Sequence, residues 1–355
     1  MNNLRTLFFT LLVLSLAACK NKQQSKNAGN PDTLQTTVIT DKVQHDTDDP
    51  AIWINPVDAS KSLIIGTDKD KDGALYAFDL SGKIVKRVGN IQRPNNVDIA
   101  YGMTLNSKKI DIAVTTEREA NKIRIFTLPD LQAIDNGGID VFVNEQDRAP
   151  MGIALYTRPS DQAIFAVVGR KSGPQDGYLW QYELKAVNGA ITGTVVRKFG
   201  KYSGKKEVEA IAVDNELGFI YYSDEQFGVR KYVADPAAKD DGELTVFAQE
   251  GFSADHEGIA IYKTGATTGY ILVSNQGSQS FMVYPREGSN SDPDRYELLA
   301  EIPVSAMETD GADATNVNLG PNFPQGIFVA MSTDRTFHLY DWRLLHKKIL
   351  AASKK

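Results

Sequence analysis

Six pairs of short apolar segments recur along this chain, and they constrain its fold more than any other feature. The first segments begin 47 to 57 residues apart, at 63–67, 110–114, 163–167, 218–222, 269–273 and 326–330. After a polar turn, each is followed by a second segment with an aromatic residue near its end, at 75–78, 123–126, 179–182, 229–232, 281–284 and 337–340. Another segment precedes each pair, at 51–54, 97–101, 152–156, 210–213, 258–262 and, in degenerate form, 312–319. This all-β repeat predicts a six-bladed β-propeller of four-stranded antiparallel blades.

Composition narrows the class of protein further. The chain has 355 residues and a net charge of −6, enough for one large domain with a substantial core. Mild acidity argues against a nucleic-acid partner, which calls for a basic surface. The single cysteine excludes an intrachain disulfide and a cysteine-based metal site, and the four histidines lack the H-E-x-x-H spacing of a helical zinc site.

The cysteine, Cys19, ends an N-terminal export signal. Arg5 precedes an apolar run at 7–16, which is too short to cross a membrane, and the run leads into L-A-A-C. This ending resembles a bacterial lipobox, so we expect a lipid on Cys19; an ordinary signal peptide with an incidental cysteine is the alternative. The predicted organisation is a signal peptide at 1–19, a flexible tether at 20–32, the propeller at 33–345 and a basic tail at 346–355. We therefore expect an exported monomer anchored to a bacterial membrane, on its periplasmic or outer-membrane face.

Acidic and basic residues cluster at matching points of the repeat. In an antiparallel blade the start of the innermost strand and the end of the next strand share one rim. The residues at these points are 48–50, 95–96, 149–151, 207–209, 255–257 and 310–313 at the starts, and 68–70, 117–119, 170–171, 224–225, 275–276 and 332–334 at the ends. Carboxylate oxygens without cysteine or paired histidine suit calcium, and interleaved lysine and arginine suit phosphate.

Seven motifs lie in order from about residue 41 to residue 342: DTDDPAIWINP, RPNNVDIAYG, TTERE, KEVEAIAVD, SADHEGIAIY, VSNQGSQS and METDGAD…LGPNFPQGIFVA. Any one of them is weak evidence, but together they resemble the β-propeller phytases, also called alkaline phytases. The resemblance implies a phosphoric monoester hydrolase of the 3-phytase type that binds several calcium ions. Its substrate would be phytate (myo-inositol hexakisphosphate) or the calcium–phytate complex, and its products lower inositol phosphates and inorganic phosphate.

The resemblance also implies roles for individual residues. The implied calcium ligands are Asp49, Glu209, Glu225, Asp255, Glu257 and Asp313, with Asn96 and Asp98 at a more structural site and Asp46 and Asp310 in the same acidic clusters. The implied substrate contacts are Lys69, Arg118, Arg170 or Lys171, and Gln276. The catalytic set is Glu209, Glu225, Asp255, Asp313, Lys69 and Arg118.

The chain departs from the family pattern at several positions. Met151 stands where many members have a tyrosine, and the pair Arg170–Lys171 replaces a Lys-Glu. The acidic loop after residue 310 is also shorter than in the best-known members. His256 lies between two implied ligands, and we expect it in the core or facing outward, because neighbouring strand residues alternate faces. The pair 205–206 is predicted to be a solvated turn.

The expected reaction is attack on phosphorus by a metal-activated water, since the RHGxRxP and CxxxxxR strings of covalent phosphatases are absent from the sequence. Lysine and arginine would stabilise the developing charge, and a carboxylic acid would protonate the leaving oxygen. Two alternatives stay open at this point. A calcium-dependent propeller lactonase or esterase would need no ring of cations, and a non-catalytic propeller lipoprotein would need only the repeat and the anchor.

Overall fold

The computed structural model describes residues 30–239, 242–289 and 291–353. In chain order, the strands of this part are β1 Val38–Ile39, β2 Thr47–Trp53, β3 Leu63–Asp68, β4 Gly73–Phe78, β5 Ile84–Ile91, β6 Pro94–Leu105, β7 Lys108–Glu117, β8 Lys122–Leu128, β9 Ile139–Asp140, β10 Pro150–Thr157, β11 Ile164–Arg170, β12 Asp176–Val187, β13 Ala190–Lys201, β14 Ile211–Asp214, β15 Phe219–Asp224, β16 Gly228–Val233, β17 Thr245–Phe247, β18 His256–Lys263, β19 Gly269–Asn275, β20 Ser280–Pro285, β21 Ala300–Pro303, β22 Ala312–Thr315, β23 Ile327–Ser332 and β24 Thr336–Asp341. One α-helix, α1, follows at Trp342–Ala352, and short 3₁₀ turns occur at Ala59–Lys61 and Gln276–Ser278.

The strands form six four-stranded antiparallel sheets, so the predicted six-bladed propeller is confirmed. Five blades take four consecutive strands each, from β2–β5 to β18–β21. The innermost strands (β2, β6, β10, β14, β18 and β22) surround a central channel of about 390 Å³. The apolar segments of the repeat pack between neighbouring blades, where residues such as Ile64, Val114, Leu272 and Val329 are fully buried.

The sixth blade is completed by the N-terminal strand of the propeller. β1 pairs with β24, placing Val38 opposite Leu339 and Ile39 opposite His338, so the sheet order is β1-β24-β23-β22. This closure joins the first and last parts of the chain and pairs the outer edge of β24. The sequence analysis did not predict it, because a two-residue strand carries no periodic signal.

Helix α1 packs against the fifth and sixth blades. Trp342, Leu345 and Ile349 share a core cluster with residues of both blades, and Trp342 stacks on Tyr262 with ring centroids 3.3 Å apart. Helix α1 therefore continues across the expected boundary at residue 345 and ends at residue 352. In the described part of the chain, no helix is both long and apolar enough to cross a membrane.

Register explains why the polar residues gather at one rim. Thr47 pairs with Asp68, Pro94 with Glu117, Pro150 with Arg170 and His256 with Asn275, so the start of each innermost strand faces the end of the next strand. Directly after each of these four pairs the innermost strand carries one extra residue, a β-bulge. Bulges re-aim side chains, and these four occupy equivalent places in four blades. We call this end of the propeller the rim.

Candidate active site

The bulges place consecutive polar residues in the rim. In a regular strand, Asp48 and Asp49 would face opposite sides of the sheet, but the bulge between Thr47 and Pro50 breaks the alternation. The third and fourth blades also approach closely at this end: a Cβ added at Gly152 would lie 2.0 Å from the carbonyl oxygen of Glu209. Glycine at this position therefore lets the third and fourth blades meet.

One half of the rim is organised around Lys69. Its ammonium is ion-paired with Asp48 and lies 3.3 Å from Oδ2 of Asp310. The Nδ2 of Asn95 donates to Asp48 at 3.0 Å and to Glu209 at 2.8 Å, so an amide joins two buried carboxylates from different blades. The repeat placed Asp48 and Asn95 at the rim, but the sequence analysis gave neither of them a role as a ligand or a substrate contact.

The other half of the rim surrounds Glu225, whose side chain is 0% exposed. Lys206 Nζ lies 2.9 Å from Glu225 Oε2, is ion-paired with Asp255, and lies 3.8 Å from Glu257 Oε1. The predicted solvated turn is therefore correct for Lys205, which is exposed, and wrong for Lys206. Nothing in the sequence around Lys205 and Lys206 indicated that one of them would contact three carboxylates from other parts of the chain.

Burial and mutual repulsion shift the pKa values of these acids upward. Burial raises the pKa of Glu225 to about 8, although the hydrogen bond from Lys206 opposes the shift. Burial likewise raises the pKa of Asp310 to about 6, although the positive charge of Lys69 opposes the shift. The pKa of Glu257 is raised well above its usual range by burial, and the neighbouring Glu225 and Glu209 add to the shift. Such carboxylates gain most from a cation that neutralises them.

A second carboxylate group lies in the central channel. Each member accepts a backbone N–H from the next blade: Asp313 from Ile52 at 2.8 Å, Asp49 from Val97 at 3.0 Å and Asp98 from Leu155 at 2.7 Å. These bonds link four successive innermost strands. Asp313 and Asp49, which the resemblance placed among the calcium ligands, thus belong to this channel group.

We expect the channel carboxylates to make the calcium-free protein less stable as the pH rises. Burial raises the folded-state pKa of Asp313 to about 7 and that of Asp98 to about 6, above the unfolded value of 3.8. The folded state then binds more protons than the unfolded state between pH 4 and 7, so the free energy of unfolding falls across that range, by about 1.4 kcal/mol per unit of pKa shift. Melting temperatures in chelator should be lower at pH 8 than at pH 5.5.

Asp313→Asn provides the control for this pH dependence. The amide does not ionise in this range, so the variant should show a smaller fall in melting temperature between pH 5.5 and pH 8. Excess calcium should oppose the fall in the unaltered protein, because the ion binds ionised carboxylates. Equal melting temperatures at the two pH values in chelator would contradict the expectation.

The predicted substrate contacts differ in how accessible they are. Lys171 is 52% exposed and lies 2.7 Å from Glu207, whereas Arg170 is 1% exposed and lies 3.3 Å from Glu145, with its guanidinium over the ring of Phe142. Lys171 therefore faces the solvent at the rim, whereas Arg170 is enclosed within the third blade.

Arg118 and Gln276 also lie at the rim. The Arg118 guanidinium contacts the sulfur of Met151, the residue noted as a departure, and its buried Nε has no hydrogen-bond partner among the described residues. Gln276 donates to Asp310 at 2.7 Å. The arrangement leaves Arg118 with unused hydrogen-bonding capacity at the place where a phosphate contact was expected.

The remaining predicted residues flank these groups. The backbone of Asp46 accepts from Lys69 N–H at 2.7 Å, and burial raises the pKa of its carboxyl. Asn96 lines the channel, and its buried Oδ1 has no hydrogen-bond partner within the described ranges. His256 is buried and stacks on Phe252, with Nε2 2.5 Å from the Ala248 carbonyl oxygen, in agreement with its expected place in the core.

The rim carboxylates fit a metal ion. Oxygens of Glu207, Glu209 and Glu225 lie within 4.8 Å of one another, and so do oxygens of Glu225, Asp255 and Glu257. Glu225 Oε1 and Glu257 Oε2 are buried and accept no hydrogen bond from any described residue. An all-oxygen donor set with unsatisfied buried carboxylates is the chemistry that a hard divalent cation prefers. Glu207 is a candidate ligand that the sequence analysis did not name.

Fold and rim together define the class of protein as a six-bladed β-propeller with a carboxylate site suited to metal ions. The family model described as phytase matches residues 2–338. The chain is also 33% identical over 292 residues to the 3-phytase of Bacillus subtilis (strain 168), an alignment covering 80% of this chain and 73% of that protein. The solved Dos1 propeller is a more distant likeness, with 12% identity, a TM-score of 0.42 and coverage of 83% of this chain and 68% of that one. The chain belongs to the phytase family, as its motifs predicted.

Proposed function

We propose that this protein hydrolyses phytate to lower inositol phosphates and inorganic phosphate, with calcium ions bound by the rim carboxylates. The observation that carries the proposal is the buried cluster centred on Glu225, whose oxygens converge with those of Glu209, Asp255 and Glu257 beside basic residues at the same rim. Family membership supports the reaction class, and the all-oxygen donor set favours calcium over softer metals.

Different residues of the rim would bind the calcium ions and stabilise the negative charge of the phosphate. Bound calcium would neutralise phosphate charge and lower the pKa of a water molecule that attacks the phosphorus. Arg118 is half-buried and Lys171 is exposed at the rim, so both can donate to phosphate oxygens. Such preorganised donors act most strongly on the charge that develops in the transition state. Asn95 holds Asp48 and Glu209 in fixed positions by donating to both carboxylates.

Phosphate release from phytate, measured with calcium and with a chelator, tests the proposal. We expect release that requires calcium and stops in chelator. Undiminished phosphate release in chelator would reject the calcium requirement, but it would still show that the protein hydrolyses phytate. Lactone or aryl ester hydrolysis without phosphate release would support the propeller lactonase, and calcium-dependent phytate binding without turnover would support a binding module. Arg118→Ala should lower phytate turnover, because the variant lacks one of the groups that donate to phosphate oxygens.

We also propose that the protein is exported and anchored by a lipid on Cys19. The support is the short apolar run ending in L-A-A-C and the polar segment after it. Cys19 lies outside the described residues, so the argument comes from the sequence alone.

Cys19→Ala should move the protein from the membrane fraction to the soluble fraction, or leave the precursor uncleaved. The sulfur carries the lipid, and a polar tether without it has no means of holding a membrane. Fractionation followed by mass measurement of the N-terminus checks both results. A variant that still sediments with membranes and is cleaved normally would reject the anchor.

A further inference from the structure

The ammonium of Lys206 lies between three carboxylates, at the position where a metal ion would otherwise bind. Its ammonium is ion-paired with Glu225 and Asp255 and lies 3.8 Å from Glu257, and these three carboxylates form one of the oxygen clusters of the rim. A divalent cation needs the same oxygens as the ammonium, and two cations at such short range repel one another. The ammonium and the ion therefore exclude each other.

The side chain of Lys206 can leave without disturbing the propeller. It is 35% exposed, whereas Glu225 and Glu257 are 0% and 4% exposed. It belongs to the connection between β13 and β14, outside any strand. That connection is held by other contacts: Tyr202 OH donates to the Lys206 carbonyl oxygen, and Ser203 donates from both its backbone N–H and its hydroxyl to Asp224. The backbone stays anchored while the ammonium moves toward solvent.

The neighbouring lysine, Lys205, lies in the same loop but makes different contacts. Lys205 Nζ donates to the Gln226 carbonyl oxygen at 2.9 Å and lies over the ring of Phe227. No ion pair joins it to a carboxylate among the described residues. Lys205 therefore provides a matched control with the same charge and side-chain length, one position away.

We propose that Lys206 is a tethered counter-ion that competes with calcium for the cluster of Glu225, Asp255 and Glu257, and thereby sets the calcium concentration at which the enzyme becomes active. The inference rests on the proposed calcium-dependent function. At low calcium the ammonium stabilises the carboxylates; at high calcium the ion displaces it. If the ammonium occupies the cluster nine-tenths of the time, the apparent Kd for calcium is raised about tenfold.

The test compares Lys206→Met, Lys205→Met and the unaltered protein by calorimetric titration with calcium in the absence of substrate, and by melting in chelator. Lys206→Met should bind calcium about tenfold more tightly at one site, yet melt at a lower temperature in chelator. Lys205→Met should match the unaltered protein in both measurements. Because a purely structural role for Lys206 predicts weaker calcium binding, the sign of the change in affinity separates the two explanations. If Lys206→Met does not fold, Lys206→Gln removes the charge and keeps a hydrogen-bond donor.

Two failures can be told apart. If the unaltered protein binds calcium and Lys206→Met binds it equally or less tightly, the competition is rejected and the proposed function stands. If none of the three proteins binds calcium, the calcium requirement itself is rejected, and the competition with it.

Discussion

Glu225→Gln is expected to lower the rate of phytate hydrolysis by about 10²–10³-fold, which corresponds to about 2.7–4 kcal/mol of lost transition-state stabilisation. Glu225 is fully buried and belongs to both oxygen clusters of the rim, so losing its charge weakens both. In chelator, however, burial disfavours the charged form of Glu225, and the nearby Glu209 and Glu207 add to this effect. The substitution should therefore leave the melting temperature in chelator unchanged or raise it.

Initial rates at saturating calcium and melting curves in chelator measure the two effects. Glu183→Gln is a suitable control, because Glu183 is ion-paired with Lys185 on β12 and belongs to neither oxygen cluster. It should retain full activity. A Glu225→Gln variant that keeps its activity would place the reacting metal elsewhere on the propeller, and equal losses of activity and of folded protein would show that Glu225 acts in folding.

Lys69→Met is expected to damage both the fold and the reaction. Lys69 has a largely buried ammonium between Asp48 and Asp310, and together with Glu209 these carboxylates raise its pKa against the opposing effect of burial. Removing one partner of a buried ion pair leaves an uncompensated charge, which typically costs about 3–5 kcal/mol of stability. Turnover should fall as well, by about 10²-fold or more. Without the Lys69 ammonium the carboxylates lose their arrangement, and the phosphate loses a group that donates a hydrogen bond to it.

Calcium should partly restore the stability of Lys69→Met, because a bound cation compensates the same carboxylates. Melting with and without calcium measures this rescue. Lys71→Met is the control: it lies two residues away, exposed at the turn between β3 and β4, and should behave as the unaltered protein does. If Lys69→Met melts like the unaltered protein in chelator, the buried ion pair contributes nothing to stability.

The blades themselves were predictable from local patterns. Segments such as 63–67 and 75–78 alternate with polar turns at a regular interval, and each of these became part of a strand, β3 and β4. Such segments form strands because burying their apolar side chains between blades outweighs the entropy lost on ordering them. The strand β1 and the packing of α1 were not predictable in this way. Two residues have no period, and a helix with exposed lysines gives no sign of the partner for its buried face.

The site was predictable at the level of the rim but not at the level of individual contacts. Antiparallel pairing alone brings Asp48 and Asp68, or Pro150 and Arg170, to one end of a blade. Which side chain then turns inward depends on bulges, and neighbours such as Arg170 and Lys171 differ in burial for reasons that lie outside the local sequence. Lys206 illustrates the limit most directly, since its three carboxylate partners come from positions 19, 49 and 51 residues further along the chain.

The sequence by itself determined the number of blades, the rim at which charged residues meet, and membership of the phytase family, because these follow from strand period, antiparallel pairing and motif order. The tertiary structure alone decided which carboxylates face one another, which lysines lie between them, and which acids lie in the channel. These contacts join residues of different blades. They depend on how each bulge turns the backbone and how six sheets close into a ring, and both are settled by packing across blades, which no local pattern encodes.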